Sequence, residues 1–315
     1  MELPAATDLP TASDRFRPFL NHPISFFSDS PMTFRLPPAL RIAAALVATG
    51  VIAACSKDTG PTVNTLGPRA RVRVINAIPD TIAMDYRFVD SVEAPIELGL
   101  VFRGASGYQP FKAGSRRLRA FAASQNPAIV FGAPIIDQVV TLKADTYYTL
   151  IHVGLANSTG GTGDSVIVLV DSIPTLASLG TGIAVRGVHA IPGVGSVDVF
   201  TTRTVAAALP ATPAFAGLTY GKATPYIKFT APDSVAARIS VTGAAPAVVL
   251  TALAMFGQAG TTQLNPIGGS RVAGTSLSAV AFPPGLGARA TAAPAASVVW
   301  YVDGDPPETV PRLRP

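Results

Sequence analysis

The chain alternates short apolar runs with turn residues along most of its length, which is typical of an all-β protein. In 71–76, Arg, Arg and Ile alternate with Val, Val and Asn, and this period of two predicts a half-buried strand. No long segment combines a helical period with caps. The nearest candidate, 247–256, follows Pro246 and begins with β-branched residues, so we predict a strand there. Further strands are predicted at 84–89, 111–121, 138–142, 146–153 and 166–170, and again at 225–230, 238–242, 248–256, 276–281 and 298–302.

Four sequence blocks occur twice in the same order. In both copies an Arg-containing apolar block ends in Ala-Ile-Pro, and an Asp follows that Pro by six residues. The blocks are 71–79, 102–108 and 166–174 in the first copy and 184–192, 220–226 and 298–306 in the second, and the aspartates are Asp85 and Asp198. This internal duplication predicts an all-β fold of two tandem β-sandwich (immunoglobulin-like) domains. We place them at 69–176 and 180–306, with a connector at 177–179 and a tail at 307–315.

Together the blocks resemble the bacterial domain of unknown function 4397 (DUF4397). Its members begin roughly Val-Arg-Val-hydrophobic-His-Ala-Ser-Pro, continue with Val-Asp-Val, and carry a Tyr in a Phe-Gly-x-x-Ser-x-Tyr block. The second copy keeps His189 where the first has Asn76, and both copies have Ile where the pattern has Ser. The resemblance implies extracytoplasmic β-sandwich modules, often in tandem and often on lipoproteins, and it implies no activity. The residues that carry it are Asn76, Pro79, Asp85, Tyr108, His189, Pro192, Asp198 and Tyr226.

The N-terminal part has the order of a secretory signal. Segment 32–41 carries two arginines, 42–54 is apolar, and Ile-Ala-Ala-Cys at 52–55 resembles a bacterial lipobox. Because 13 apolar residues are too few to span a bilayer as a helix, we predict a lipoprotein signal peptide at 32–54, lipidation of Cys55 and a polar tether at 55–68. Ser56 after the cysteine favours the outer membrane of a Gram-negative bacterium. Residues 1–31 contain five prolines and no periodicity, and we interpret them as a mis-assigned or disordered extension.

Composition narrows the classes of site. One cysteine and three histidines exclude a disulfide framework within the chain and a cysteine-rich zinc centre. Charged residues make up 14% of the chain, against a usual share of about 25%. The mean hydropathy is +0.39, yet no apolar run reaches the length of a membrane helix. These values indicate a turn-rich globular protein with little surface charge.

Candidate chemistry is sparse. His189 and Asp198 could pair as a base and its orienting acid, but Asn76 stands at the position of His189 in the first copy and cannot act as a base. We therefore expect these polar side chains to fix the first turn by bonding to the backbone. Asp80, Asp85 and Asp90 recur every five residues, but strand geometry places the first two on opposite faces, against a calcium loop. We predict no catalytic residue, no cofactor and no metal site.

Two arginine clusters and a set of aromatic residues have both a structural and a binding interpretation. The arginines could form a basic stripe for lipid headgroups or acidic polysaccharide, although a solvated sheet face is the expected role. The aromatics are expected in the core and in cross-strand pairs rather than on a sugar-stacking platform. The clusters are Arg69, Arg71, Arg73 and Arg116, Arg117, Arg119, and the aromatics are Tyr147, Tyr148, Trp300 and Tyr301.

These observations lead to three functional hypotheses. The first is a lipid-anchored, non-enzymatic envelope protein that acts as a binding, adhesion or scaffold module. Its expected partners are the membrane, through Cys55, and an envelope glycan or protein, with no nucleic acid. The alternative is a secreted hydrolase of envelope or extracellular polymers, with His189 and Asp198 as its obvious site. A third hypothesis is a structural subunit of a larger surface assembly.

Overall fold

A computed structural model describes residues 67–309 of the chain, except 82, 91–92, 131, 158–162, 244–249, 288–289 and 294. The predicted extension at 1–31, the signal peptide at 32–54, Cys55, most of the tether and the end of the tail lie outside the described residues. Among the described residues, no helix is long and apolar enough to cross a membrane.

The first half of the described chain folds into a sandwich of two four-stranded sheets. The inner sheet has the order β4-β1-β7-β8 and the outer sheet the order β3-β2-β5-β6. Strand β1 pairs in parallel with β7, whereas the other neighbours are antiparallel. The strands are β1 (Arg69–Asn76), β2 (Ala83–Val89), β3 (Glu93–Val101), β4 (Gln109–Lys112), β5 (Gly114–Ala122), β6 (Ile136–Leu142), β7 (Tyr147–Val153) and β8 (Ser165–Asp171), with a one-turn helix α1 (Pro127–Val130) between β5 and β6.

The second half has the same strand order. Its inner sheet is β12-β9-β15-β16 and its outer sheet β11-β10-β13-β14, again with the first strand parallel to the seventh. A one-turn helix, α2 (Leu176–Leu179), lies between the halves; Thr175 caps it by accepting a hydrogen bond from the Ser178 amide. The strands are β9 (Ile183–His189), β10 (Val197–Thr202), β11 (Phe215–Leu218), β12 (Ile227–Phe229), β13 (Ala236–Val241), β14 (Leu250–Leu253), β15 (Ser276–Phe282) and β16 (Ser297–Gly304). The predicted all-β sandwich architecture is confirmed.

The two inner sheets pack face to face, so the molecule has three apolar cores. One core lies inside each sandwich. The third contains Ile75 and Ile151 from the first inner sheet and Val188 and Val280 from the second. The central strands of each inner sheet are therefore buried on both faces, and almost every side chain of β7, β9 and β15 is buried.

This packing corrects the expectation of a half-buried first strand. Every side chain of β1 from Val72 to Asn76 is buried. The even-numbered residues face the core of their own sandwich, and Ile75 lies in the core between the sandwiches. The predicted strand at 248–256 is also shorter than expected, because β14 ends at Leu253.

Candidate functional site

A closed ring of buried polar side chains joins the two sandwiches. Each half supplies an arginine from its first strand, a hydroxyl from its seventh strand and an aspartate from its eighth strand. We call this group the polar ring: Arg73, Thr149, Asp171, Arg186, Ser278 and Asp303. All six occupy corresponding strands in the two halves, so the same side chains recur on both sides of the interface.

The contacts within the polar ring are reciprocal. The Nε of Arg73 donates to Thr149 Oγ1 in its own half at 2.8 Å, and its Nη2 donates to Asp303 in the other half. Arg186 repeats this arrangement, with Ser278 Oγ at 2.7 Å and Asp171 Oδ1 at 2.6 Å. Reciprocity of this kind is the property of an isologous interface between identical subunits.

In each half, one hydroxyl side chain and one tyrosine also donate hydrogen bonds to the carboxylate of the polar ring. Thr149 donates to Asp171 Oδ2 at 2.6 Å, and Ser278 donates to Asp303. Tyr108 and Tyr226 donate to the same two carboxylates at 2.7 Å. The tyrosine rings also lie beneath the guanidinium groups, with 4.7 Å from Arg73 Cζ to the Tyr108 centroid and 4.8 Å in the second half. These cation–π contacts hold the arginines in place while they remain charged.

The positive and negative charges of the polar ring compensate one another in the protein interior. Burial by itself would lower the pKa of the Arg73 and Arg186 guanidinium groups, but the carboxylates of Asp303 and Asp171 outweigh it and both pKa values rise. Burial raises the pKa of Tyr108 and Tyr226 well above the ordinary value of tyrosine. Two cations therefore face two anions beside neutral phenols, and removal of any one charge leaves an uncompensated charge inside the protein.

Arg103 adds a second set of polar contacts at the opposite end of the interface. Its Nη2 donates to the carbonyl oxygens of Pro283 and Ala295 at 2.8 and 2.7 Å, and its own carbonyl accepts from the Tyr301 hydroxyl at 2.7 Å. Burial lowers the pKa of Arg103. The sandwiches are thus joined by polar contacts at both ends of an apolar core.

A cleft of about 680 Å³ opens beside the polar ring, between the two halves. Arg73, Tyr108 and Asp303 form its floor, and exposed Arg71 lies at its rim. The Tyr147 ring is half-buried, meets the Tyr108 ring edge-on at 5.2 Å and lies 5.7 Å from Arg71 Cζ. Its lining residues are Arg71, Arg73, Ser106, Gly107, Tyr108, Tyr147, Ile173, Pro174, Thr175, Leu176, Gly274, Val302, Asp303, Gly304 and Asp305.

Asn76 and His189 occupy the corresponding ends of β1 and β9 and make the same backbone contact. Asn76 Oδ1 accepts from the Ile78 amide at 3.0 Å, and His189 Nδ1 accepts from the Ile191 amide at 3.3 Å. Since Nδ1 is an acceptor here, the imidazole proton lies on Nε2, which donates to the Gly195 carbonyl at 3.0 Å. Both side chains are fully buried and fix the turn that Pro79 or Pro192 begins. This is the backbone-fixing role expected from the sequence.

Asp85 and Asp198 make a different pair of equivalent contacts. Each accepts a hydrogen bond at 2.8 Å from the amide of a glycine in the neighbouring strand, Gly99 or Gly217. Both glycines have positive φ, 69° and 67°, where a side chain is unfavourable. His189 and Asp198 have separate partners among the described residues, so the structure does not bring together the acid–base pair that was the alternative interpretation of these two residues.

The other candidate residues lie apart. Asp80 accepts from the amides of Ala156 and Asn157 at 3.0 and 2.9 Å, and Asp90 pairs with Arg116. Within the described part of the chain no three metal-ligating side chains cluster. The arginines are also dispersed: Arg73 is buried in the polar ring, which corrects its assignment to a solvated stripe, whereas Arg117 and Arg119 share Asp137 on the exposed face of the first outer sheet.

The sequence did not indicate a hydrogen-bonded series of side chains formed by Tyr86, His152 and Asp164. Tyr86 Oη lies 3.0 Å from His152 Nδ1, and His152 Nε2 lies 2.7 Å from Asp164 Oδ2. Tyr86 and His152 are fully buried in the first sandwich, and burial raises the pKa of Tyr86. A serine or cysteine nucleophile is not among the hydrogen-bond partners described for this chain of residues.

The aromatic predictions hold in part. Tyr148 and Trp300 lie in the two sandwich cores, and Tyr301 packs at the interface. Tyr147 lies in the cleft.

The polar ring was within reach of the repeat alignment. Arg73 and Arg186, Tyr108 and Tyr226, and Asp171 and Asp303 are identical between the aligned blocks. The identity marks these polar positions as shared by the two halves, and the packing of the two inner sheets then shows that they contact each other.

Comparison with known protein families gives a match over part of the chain. No curated protein matches the chain significantly. The match begins at the start of β1, runs through the whole first sandwich and ends in β10, and it includes every motif residue named above except Tyr226. Residues 70–200 match the family model described as "Domain of unknown function (DUF4397)".

Proposed function

We propose that the protein is a lipid-anchored envelope protein in which two DUF4397 domains form one rigid, non-enzymatic binding module. The second domain is the sandwich at 180–306, and the anchor is Cys55. The shared strand order and the reciprocal polar ring support a second copy of the domain. The lipobox-like sequence at 52–55 supports the anchor.

The observation that carries the proposal is the cleft that the polar ring creates between the sandwiches. A cleft whose two walls keep a fixed separation binds a ligand with less loss of conformational entropy. Here the walls are fixed by two buried ion pairs and an apolar core, so the cleft is formed before any ligand arrives. The residues of the polar ring keep the two walls in a fixed position, because they form hydrogen bonds with one another across the interface.

The cleft has the chemistry of a site for an envelope polymer. The half-buried Tyr147 ring offers an apolar face, and Arg71 and Asp305 offer a donor and an acceptor at the rim. A few polar groups around an aromatic surface are typical of sites for sugars and peptides. We therefore expect a glycan strand of the cell envelope to lie along the cleft.

The contacts described above favour binding over hydrolysis. His189 and Asp198, the obvious site of a hydrolase, each bond to backbone groups in the second sandwich. A general base must be able to reach a substrate proton, whereas the His189 side chain is fully buried.

Binding is tested with the full-length protein, purified from membranes in detergent and applied to an array of envelope glycans. We expect at least a tenfold loss of affinity in Tyr147→Ala and Arg71→Ala for any glycan bound by the wild type. Arg203→Ala is the matched control, because Arg203 is an exposed arginine that does not line the cleft. Equal loss in all three variants, or glycan binding that survives both cleft variants, would contradict the proposal.

The anchor is tested by labelling cells with a palmitate analogue. The wild type should incorporate the label and sediment with membranes, and Cys55→Ala should do neither. Unchanged fractionation of Cys55→Ala would refute the anchor, whatever the result of the glycan experiment.

A further inference from the structure

The second sandwich carries an exposed apolar hairpin that the first sandwich lacks. In the first sandwich four residues connect β6 to β7, whereas 22 residues, 254–275, connect β14 to β15. Within this connection Gln258 and Ile267 exchange two backbone hydrogen bonds of 2.9 Å. We call 255–271 the apolar hairpin, because four large apolar side chains are exposed on it. They are Met255 (42%), Phe256 (39%), Leu264 (63%) and Ile267 (62%).

The apolar hairpin lies at the end of the molecule where the described chain begins. Thr309 bonds to Asn265 Oδ1 at 3.0 Å and to the Leu264 carbonyl at 2.9 Å. Four residues earlier in the chain, Asp305 lines the cleft together with Arg71, near the start of β1. The hairpin, the cleft and the first residues of β1 therefore share one end of the double sandwich.

We propose that the apolar hairpin docks on the surface of the bilayer that holds the lipid anchor. This inference rests on the proposed anchor at Cys55. Gly67 is the twelfth residue after Cys55, so the end that carries the hairpin lies within about 40 Å of the lipid even if the tether is fully extended. For a flexible chain the root-mean-square separation is about 20 Å. Such a tether gives the hairpin a high effective concentration at the bilayer, and weak apolar contacts then suffice.

Charge near the apolar hairpin fits an anionic lipid surface. The Arg271 guanidinium lies 3.7 Å from the Phe256 ring centroid, which joins a cation to an exposed aromatic as at membrane interfaces. Exposed Arg71 and Lys228 lie at the same end, Lys228 through its contact with the Ser178 carbonyl at 3.4 Å. Asp305 and Glu308 are the acidic side chains of the adjoining C-terminal segment. Asp233, whose amide bonds to the Ser270 carbonyl beside the hairpin, is paired with Arg203, so the exposed cations next to the hairpin remain available to anionic headgroups.

The experiment uses the lipidated full-length protein in vesicles of phosphatidylethanolamine and phosphatidylglycerol. Because Cys55 is the one cysteine of the chain and carries the lipid, Leu264→Cys supplies a unique thiol for a polarity-sensitive dye. Val139→Cys is the matched control, with 60% exposure on the outer sheet of the first sandwich. We expect a blue shift and at least threefold stronger quenching by bilayer-embedded nitroxides at position 264 than at 139.

Each other outcome overturns the inference. Equal quenching at both positions in vesicle-bound protein shows that the anchor holds while the hairpin stays in solution, and it leaves the proposed function intact. A dye shift at 264 that depends on protein concentration and not on lipid assigns the hairpin to a second copy of the chain. Failure of the protein to associate with vesicles removes both the anchor and the docking surface.

Discussion

Asp303→Ala tests whether the polar ring is the main fastening between the sandwiches. The substitution removes the acceptor of Arg73, Tyr226 and Ser278 at once. Arg73 is then left as an unpaired cation with 2% exposure in the interior. Breaking a buried ion pair by removing one partner costs about 3–5 kcal/mol. For a folded unit of this size, that loss corresponds to a fall in Tm of roughly 6–20 °C.

The assay is urea denaturation followed by circular dichroism and by the fluorescence of Trp300, the one tryptophan of the chain, which is buried in the second core. Because the contacts are reciprocal, Asp171→Ala should destabilise the protein by a similar amount, through Arg186, Tyr108 and Thr149. The double variant Arg73→Met with Asp303→Leu should be more stable than Asp303→Ala, since no charge is left unpaired.

Asp137→Asn is the control for a simple loss of charge. Asp137 pairs with Arg117 and Arg119 on the exposed face of the outer sheet. Hydrogen bonding from Arg117 is the main cause of its lowered pKa, but solvent screens such a pair, so the variant should unfold close to the wild type. If Asp303→Ala and Asp137→Asn shift the midpoint equally, the reasoning about the polar ring is wrong.

Three further predictions concern the turn after β9, a glycine of β11 and the buried tyrosines. His189→Asn should retain nearly wild-type stability, because Asn76 makes the same contact in the first half, whereas His189→Leu should lose about 1–3 kcal/mol from the unsatisfied Ile191 amide; equal losses in urea melts would contradict this. Gly217→Ala, in β11, should cost roughly 1–2 kcal/mol because φ is 67°, and an unchanged melt would contradict this. Tyr86, Tyr108 and Tyr226 have raised pKa values through burial, so their contribution to stability is complete below about pH 10 and is lost as the pH rises through their folded values. Titration at 295 nm should leave at least three of the seven tyrosines un-ionised until the protein unfolds, and ionisation of all seven near pH 10 with native circular dichroism would refute the burial.

The sequence predicts well those strands that are apolar throughout or that alternate apolar and polar residues. The strands observed at Tyr147–Val153, Ser165–Asp171, Ser276–Phe282 and Ser297–Gly304 match predicted ones, because each is a short apolar run rich in β-branched or aromatic residues or bounded by turn residues. Strand β3 was missed: Glu93–Val101 contains Pro95 and the positive-φ Gly99, and it forms a strand through pairing with β2 rather than by local preference.

The polar ring shows where sequence patterns become insufficient. An arginine that alternates with valines, as Arg73 does, gives the same pattern on a solvated face as in a buried ion pair. The partner that decides between them, Asp303, lies 230 residues away. Only the identity of Arg and Asp in both aligned blocks carries information about their contact, and that identity becomes physical evidence only when the packing of the two inner sheets is known.

The reciprocal interface also has a consequence for how the two halves can diverge. Two identical subunits with such an interface would associate to an extent that depends on their concentration. A substitution on the outer face of one subunit would also be present in the other, because both have the same sequence. Within one chain, α2 and its flanking residues replace that dependence with a fixed local concentration. Each outer surface is then free to change alone, as the 22-residue connection in the second half and the four-residue turn in the first illustrate. A symmetric interface is thus compatible with two halves whose outer surfaces differ.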